Sequence, residues 1–256
     1  MPGMKIDHQL SDLQKTLYSS TNPTRRWLHT SRRDLIVRLI KNIRICDNQC
    51  ALEVGPGSGV YLPTLCSIFK SVTALDVELS YLAAIDFLRQ EHENLSFVAN
   101  DLVKTKWPKG FDFVLCSEVI EHVKNPEKFA KSLSEATKPG GVLILSTPQP
   151  FSLMELTCRI GLSRPVINLV RRVYKEPVLP MGHVSLVSKS RILRILAANR
   201  FEVIESYTLG LYVPFLAEFG GEKAVSIAKW IESALSKLRV TWPMWTQVYV
   251  AVKEGS

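Results

Sequence analysis

Short apolar segments alternate with segments of helical character along most of this 256-residue chain. Seven of the apolar segments have the length and composition of buried strands. They are Cys50–Val54, Ser71–Val77, Leu95–Val98, Phe111–Ser117, Gly141–Ser146, Phe201–Tyr207 and Thr246–Val252. Because strands separated by helices are typical of α/β proteins, we expect an α/β fold.

Two regions fall outside this alternation and set the predicted domain boundaries. Residues 1–45 predict an N-terminal helical extension, since apolar side chains from Leu28 to Ile43 recur at three- and four-residue steps. The remaining residues, 46–256, form the main predicted domain. Within it, prolines interrupt the apolar runs of residues 149–186, which predicts an inserted cap over the substrate site.

Residues 209–240, between the last two strands, predict helix with several large aromatic side chains. These are Tyr212, Phe215, Phe219 and Trp230. Two interpretations stay open: the aromatic side chains belong to the core or cap, or they form a wall that faces lipid.

A glycine-rich stretch follows the first strand. Gly55, Gly57 and Gly59 alternate with other residues and predict a tight turn that lets a ligand approach bare backbone. The spacing G-x-G-x-G differs from the G-x-G-x-x-G of dinucleotide sites. Glu53, two residues before the first glycine, supplies a carboxylate for an ammonium group. S-adenosylmethionine carries such a group and a pyrophosphate does not.

Acidic residues also follow the second and third strands. Asp76 ends the second strand about 20 residues after the first glycine, where an acid commonly holds a ribose diol. Its alternative role is to cap the helix that starts near Leu79. Asp101 follows the third strand, and its alternative role is that of an ordinary turn residue.

The run after the fourth strand contains two carboxylates and an imidazole. If residues 118–123 are helical, Glu118, Glu121 and His122 share one face just beyond the carboxyl end of a central strand. His183, in a Gly-containing loop, is a candidate fourth ligand. Carboxylates and imidazoles without thiolates favour Mg²⁺ or Mn²⁺ and also suit Zn²⁺. A cation would lower the pKa of an acceptor hydroxyl; alternatively His122 or His183 is the base, with Glu121 beside it.

Together these residues resemble the class I S-adenosylmethionine-dependent methyltransferases. The run from Glu118 to Val123 is similar to that of the ubiquinone-biosynthesis O-methyltransferases and the methyltransferase type 11 group, and its Glu-x-x-Glu-His pattern to that of small-RNA 2′-O-methyltransferases. The resemblance implies a Rossmann-like seven-stranded sheet, mostly parallel with the last strand antiparallel. It implies that Asp101 bonds the adenine amino group and that Leu102 and Ser117 line the cofactor site.

The amino-acid composition indicates which class of protein this is and in which compartment we expect it. With 46% hydrophobic and 22% charged residues, the chain is globular. Its five cysteines form no Cys-x-x-Cys pair, and no apolar run approaches the roughly 20 residues that cross a bilayer. We therefore expect a cytoplasmic protein without a signal peptide or transmembrane segment.

The net charge of +8 bears on the identity of the acceptor. Basic residues form two clusters outside the cofactor-binding half, namely Arg25, Arg26, Arg32 and Arg33, and Arg164, Arg171, Arg172 and Lys175. Such clusters are commonly a solvated face, and otherwise bind RNA or an anionic membrane. We expect O-methylation of a small-molecule or lipid- or quinone-like hydroxyl. The alternatives are an RNA 2′-O-methyltransferase and a module that binds S-adenosylmethionine without catalysis.

Overall fold

The predicted strands assemble into one sheet of seven within residues 17–43, 49–161 and 185–255, the part of the chain that this computed structural model describes. The strands are β1 Cys50–Val54, β2 Ser71–Asp76, β3 Leu95–Ala99, β4 Phe111–Ser117, β5 Thr137–Pro148, β6 Phe201–Leu211 and β7 Met244–Lys253. The helices are α1 Pro23–Asn42, α2 Leu62–Ile68, α3 Leu79–Ala84, α4 Phe87–Glu91, α5 Pro126–Ala136, α6 Leu153–Gly161, α7 Lys189–Ala198, α8 Pro214–Phe219 and α9 Gly221–Lys237.

The order of the strands across the sheet is β3-β2-β1-β4-β5-β7-β6. Strands β1 to β5 pair in parallel, and β7 is antiparallel to both of its neighbours. The expected mixed sheet with an antiparallel last strand is therefore confirmed. Because the order reverses between β1 and β4, we expect the ligand crevice of this sheet beyond the carboxyl ends of these two strands.

Both faces of the sheet are covered by helices, which explains why the central strands have continuous apolar sequences. On one face the core includes Ile36 of α1, Leu65 of α2 and Ile85 beside α3. On the other face it includes Leu133 of α5 and Ile192 of α7. Since α1 packs directly into the core of the sheet, the described part of the N-terminal extension is an integral layer of the fold.

Helix α1 begins with a cap and buries an apolar stripe. The side chain of Asn22 accepts a hydrogen bond from the backbone N–H of Arg25, and Pro23 occupies the first helical position. The predicted apolar face is confirmed. However, Arg32, which we expected on the solvent side, is buried on the same stripe as Leu28 and Leu35.

Two expectations for the later part of the chain need revision. Residues 209–211 extend strand β6, and helix starts only at Pro214, so the predicted helix 209–240 begins too early. Tyr212 is buried and donates to Glu218, so it belongs to the core.

Most of the predicted cap, residues 149–186, lies outside the described residues, and its role stays a prediction. None of the described helices combines the length and the apolar character that crossing a membrane requires.

Gly210 provides a test of how α1 is held against the sheet. Gly210 has φ +86°, and a Cβ there would lie 2.9 Å from Leu28 of α1. Gly140 has φ +75° but no atom within 4 Å of its Cβ position. We expect Gly140→Ala to lower the free energy of unfolding by about 1–2 kcal/mol through backbone strain alone. Gly210→Ala should lower it by a further 1–3 kcal/mol or so, because it also overpacks the helix contact. Equal losses in urea denaturation would contradict this.

Candidate functional site

The turn between β1 and α2 has the glycine-dependent geometry that its sequence predicts. Gly55, Gly57 and Gly59 all have positive φ angles. The N–H of Gly55 donates to the carbonyl of Leu75 at 2.8 Å, which joins the turn to the end of β2. A Cβ on Gly55 would lie 2.5 Å from Val119 Cγ2. The segment after β4 therefore packs directly on this turn, and a larger side chain would separate them.

Glu53 lies one residue before the carboxyl end of β1 and is 2% exposed. Its Oε2 atom is buried and has no hydrogen-bond partner within the described residues. Burial raises the pKa of this carboxyl group to about 8. An unpaired buried carboxyl is costly unless a cation or donor reaches it. Glu53 therefore fits a ligand with an ammonium group at the glycine turn.

The ends of β2 and β3 bring the next two predicted residues to the same edge of the sheet. Asp76 Oδ1 accepts from the N–H of Glu78 at 2.9 Å, and burial is the main cause that raises the pKa of Asp76. The backbone N–H of Asn100 donates to the carbonyl of Asp76 at 2.9 Å. Asp101 follows it and accepts from the N–H of Val103, while Leu102 is buried. Glu53, Asp76 and Asp101 therefore lie at or just beyond the carboxyl ends of three adjacent strands.

The segment after β4 is not the helix that the sequence predicted. Glu118 has φ +57°, and only residues Ile120–His122 form a short 3₁₀ turn. Glu118, Glu121 and His122 consequently do not share one helical face. This correction has a physical reason: Val119 packs against Gly55, and the chain must turn sharply at Glu118 to make that contact.

Glu118 forms a buried ion pair with α1. Its Oε2 atom lies 2.7 Å from Nη1 of Arg32, a residue that is 6% exposed. The hydroxyls of Ser146 and Thr246 donate to Glu118 Oε1 at 3.0 and 3.3 Å. The guanidinium also stacks on Trp245, 4.8 Å from the ring centroid. Arg32 was counted in a basic cluster for which a solvated face is the common interpretation, and its burial contradicts that interpretation.

The other two residues of the run face different surroundings. Glu121 is 1% exposed, and its Oε2 accepts from the hydroxyl of Thr147 at 3.0 Å. Burial and then the charge of Glu118 raise the pKa of Glu121 well above its ordinary value. His122 Nε2 lies 4.0 Å from Glu121 Oε1, and the imidazole is half exposed. Glu121 and His122 therefore form a contact pair that opens to solvent.

The predicted metal site is not assembled by the described residues, which contain no group of three or more His, Cys, Asp or Glu able to hold an ion. Arg32 already neutralises the charge of Glu118, and Glu121 accepts a hydrogen bond from the hydroxyl of Thr147. The chemistry of this donor set does not fit a divalent cation. The fourth predicted ligand, His183, lies outside the described residues.

Sequence reasoning missed two residues of α1 beside the site, of which Arg32 is buried and His29 is partly buried. Arg32 lies four residues after Leu28 and three before Leu35, so the spacing of the apolar stripe itself indicates burial. His29 stacks edge-on against Trp245 with centroids 4.8 Å apart, and burial lowers its pKa to about 3. No pattern in the sequence distinguishes this histidine from a surface residue.

Comparison with known proteins identifies the family of this arrangement. Residues 25–206 match the family model described as a methyltransferase domain. The mitochondrial ubiquinone biosynthesis O-methyltransferase of Schizosaccharomyces pombe is 29% identical over 176 residues, which cover 65% of this chain and 62% of that protein. The chain spans about half the length of the curated relatives that it matches.

Two solved structures share the whole fold at low sequence identity. The cyclase SpnF superposes with a TM-score of 0.63 at 16% identity, over 97% of this chain and 95% of its own. The magnesium protoporphyrin IX methyltransferase of Synechocystis PCC 6803, crystallised with S-adenosylhomocysteine, gives a TM-score of 0.62 at 16% identity, over 95% and 93%. At such identities the likeness establishes the fold alone.

The ion pair between Arg32 and Glu118 should dominate the stability of the contact between α1 and the site. Arg32→Met leaves Glu118, whose side chain is 17% exposed, without its counter-charge, and we expect the free energy of unfolding to fall by up to about 3–5 kcal/mol. The matched control is Arg33→Met, which removes a more exposed pair with Asp34 and should cost less than about 1 kcal/mol. Urea denaturation measures both.

The double variant Arg32→Met/Glu118→Gln completes this test. It removes both charges, so it should be more stable than Arg32→Met alone. Unfolding of Arg32→Met and Arg33→Met at the same urea concentration would contradict the prediction that the Arg32–Glu118 pair contributes more to stability than the Arg33–Asp34 pair.

Proposed function

Because the chain belongs to the methyltransferase-domain family, we propose that it transfers a methyl group from S-adenosylmethionine to a hydroxyl group of a small-molecule acceptor. The observation that carries the first half of this proposal is the buried, unpaired carboxyl oxygen of Glu53 beside a turn of three positive-φ glycines. An ammonium group would pair with that oxygen and offset the cost of burying it.

The roles of the remaining donor-site residues follow from their positions at the sheet edge. Asp76 would accept from the ribose diol, and Asp101 from the adenine amino group, since they follow the next two strands in order. The turn formed by Gly55, Gly57 and Gly59 would present backbone to the amino-acid portion, with Leu102 and Ser117 lining the site. S-adenosylmethionine supplies an activated methyl group on a sulfonium, so the protein must provide a positioned, deprotonated acceptor.

His122 is the candidate for removing the proton of the acceptor. The imidazole is half exposed beside the crevice, and a base must reach the solvent-facing hydroxyl of an entering acceptor. Glu121 lies on its buried side, 4.0 Å from Nε2, and would limit the orientations of the ring. His183, the other candidate base, lies outside the described residues. We prefer direct base catalysis to a metal ion, because Glu118 would have to leave Arg32 to become a ligand.

The names of the curated relatives support oxygen as the methyl acceptor. The relative from Schizosaccharomyces pombe is named as an O-methyltransferase of ubiquinone biosynthesis. A hydroxyl on a quinone-like or lipid-like small molecule is therefore the acceptor class that we propose.

RNA is a weaker candidate, because the first basic cluster is neutralised within the protein. The second cluster, Arg164, Arg171, Arg172 and Lys175, lies outside the described residues. Arg25 pairs with Glu218, Arg26 with Glu222, Arg32 with Glu118 and Arg33 with Asp34. Phosphate binding needs basic side chains that are available to exchange their counterions.

A non-catalytic module that binds S-adenosylmethionine is the remaining alternative. A methyl-transfer assay with labelled S-adenosylmethionine distinguishes the small-molecule methyltransferase, the RNA methyltransferase and the non-catalytic module. The protein is given phenolic isoprenoids in one reaction and RNA in another. Transfer to RNA alone would reject our proposal.

The affinity for S-adenosylmethionine should depend on pH through Glu53. Its carboxyl group has a pKa of about 8 in the ligand-free protein and would ionise when it pairs with the ammonium group. Binding would then release a proton, so Kd should fall by up to about tenfold per unit as the pH rises from about 6 to 7.5. Glu53→Gln should bind more weakly and lose this dependence. Calorimetry over that range measures both; a flat profile for the unaltered protein would contradict the assignment.

Substitution of His122 tests the acceptor half of the proposal. We expect His122→Asn to lower kcat by about 10²–10⁴-fold while the affinity for S-adenosylmethionine stays the same, because the base would be lost but not the donor site. His92→Asn, at the end of α4, is the matched control and should leave kcat unchanged. EDTA should also have no effect. Activity that EDTA abolishes and Mg²⁺ restores would instead favour a metal-bound acceptor.

A further inference from the structure

Large apolar side chains are exposed on the segment between β6 and β7. Phe215 of α8 is 83% exposed and Phe219 is 73% exposed, and they lie one helical turn apart. On α9 and the loop after it, Trp230 is 73%, Leu238 72% and Trp242 54% exposed. Aromatic side chains are usually buried, so this concentration on consecutive elements marks an interaction surface. We call these five side chains, four aromatic and one leucine, the aromatic surface.

Lysines accompany the apolar side chains on the outer face of α9. Lys223, Ile227, Trp230, Ala234 and Lys237 follow one another at steps of four, three, four and three, which aligns them in one stripe along the helix. The opposite face is packed, and its buried residues are Ala224, Val225 and Ala228. Arg239 follows shortly after the helix and is exposed. The outward stripe thus combines a tryptophan with cationic side chains.

The acidic residues of α8 and α9 are occupied elsewhere. Glu218 binds Arg25 and Tyr212, and Glu222 binds Arg26 on α1. Glu232 accepts from the backbone N–H groups of residues 210 and 211 at the end of β6. The stripe itself contains no acidic residue. Its electrostatic character is therefore positive, complementary to an anionic surface.

The aromatic surface lies at the same end of the sheet as the candidate site. Leu211 at the end of β6 pairs with Met244 at the start of β7, and Thr246 of β7 pairs with Pro148 at the end of β5. Strands β5 and β6 run in the direction of β1 and β4, so their carboxyl ends share one edge. A binding partner on α8 and α9 would therefore lie near the carboxyl ends of β1 and β4, where the crevice is expected, and not at the opposite end of the sheet.

We propose that the aromatic surface and the lysine stripe dock the protein on an anionic lipid bilayer. Tryptophan and phenylalanine side chains enter the boundary between headgroups and acyl chains, while lysines keep their ammonium groups among the phosphates. Anionic lipids attract such basic residues. This binding does not require methyl transfer, and it would bring the crevice close to acceptors dissolved in the membrane.

A second copy of the chain fits this surface less well. In a twofold-symmetric dimer the same patch faces itself, so Lys223 and Lys237 would approach the lysines of the other copy. Such like charges repel, and the described acids of α8 and α9 already have partners that hold them away from the stripe. RNA would be attracted by the lysines, but it offers no apolar phase for Phe215 and Phe219. A bilayer supplies both the anionic and the apolar component.

Vesicle co-sedimentation of the full chain, without cofactor or acceptor, tests the proposal. The protein should bind phosphatidylcholine vesicles that contain phosphatidylglycerol, and more weakly vesicles of phosphatidylcholine alone. The triple variant Phe215→Ser/Phe219→Ser/Trp230→Ser should lose about tenfold or more in vesicle affinity. Lys223→Gln and Lys237→Gln should each lose about fivefold at low salt. The matched control is Phe87→Ser, an exposed phenylalanine on α4, which packs near the opposite edge of the sheet; it should bind vesicles normally.

A circular-dichroism spectrum and a urea-unfolding midpoint equal to those of the unaltered protein show that each variant is folded. Three results would overturn the proposal: no binding of the unaltered protein to anionic vesicles at low salt, equal vesicle binding by the triple variant, or a dimer in sedimentation velocity that the triple variant converts to monomer. RNA binding that the same substitutions abolish, without vesicle binding, would also overturn it. Since no methyl transfer is measured, failure of the proposed reaction would leave these results interpretable.

Discussion

The burial of a carboxyl group at the end of β1 is the constraint on which this account depends. Glu53 is enclosed by the sheet and its helices, and one of its oxygens has no partner within the described residues. Such a group lowers stability, so its position needs a reason beyond folding. A cationic ligand provides one, since it would compensate the buried charge. The glycine turn beside Glu53 brings backbone close to this carboxyl group, and Val119 and Leu88 pack against Gly55 and Gly59.

Helix α1 extends this site into the N-terminal part of the chain. Arg32 crosses from the helix to Glu118, whose position is set by the sharp turn after β4 and by two hydroxyls from β5 and β7. One ion pair thus connects α1 with residues of β5 and β7 and with the turn after β4. The same pair removes Glu118 from the set of available metal ligands.

Much of the fold could be predicted from local sequence, because buried parallel strands are continuous apolar runs and the glycine turn has a characteristic spacing. Local sequence could not predict the shape of the segment after β4. Glu118 to His122 has a helical pattern, but packing of Val119 on Gly55 imposes a positive φ at Glu118. The partner of Glu118 is 86 residues away in sequence (118 − 32 = 86), at a position where charge alone suggested solvent. Long-range contacts thus decided the parts of the site that composition and spacing left open.

A crystal structure with S-adenosylmethionine bound tests the central claim most directly. The account predicts that the ammonium nitrogen lies about 3 Å from a carboxyl oxygen of Glu53, with the amino-acid portion against the glycine turn. A complex in which the ligand binds elsewhere, or in which Glu53 keeps its unpaired oxygen, would contradict it.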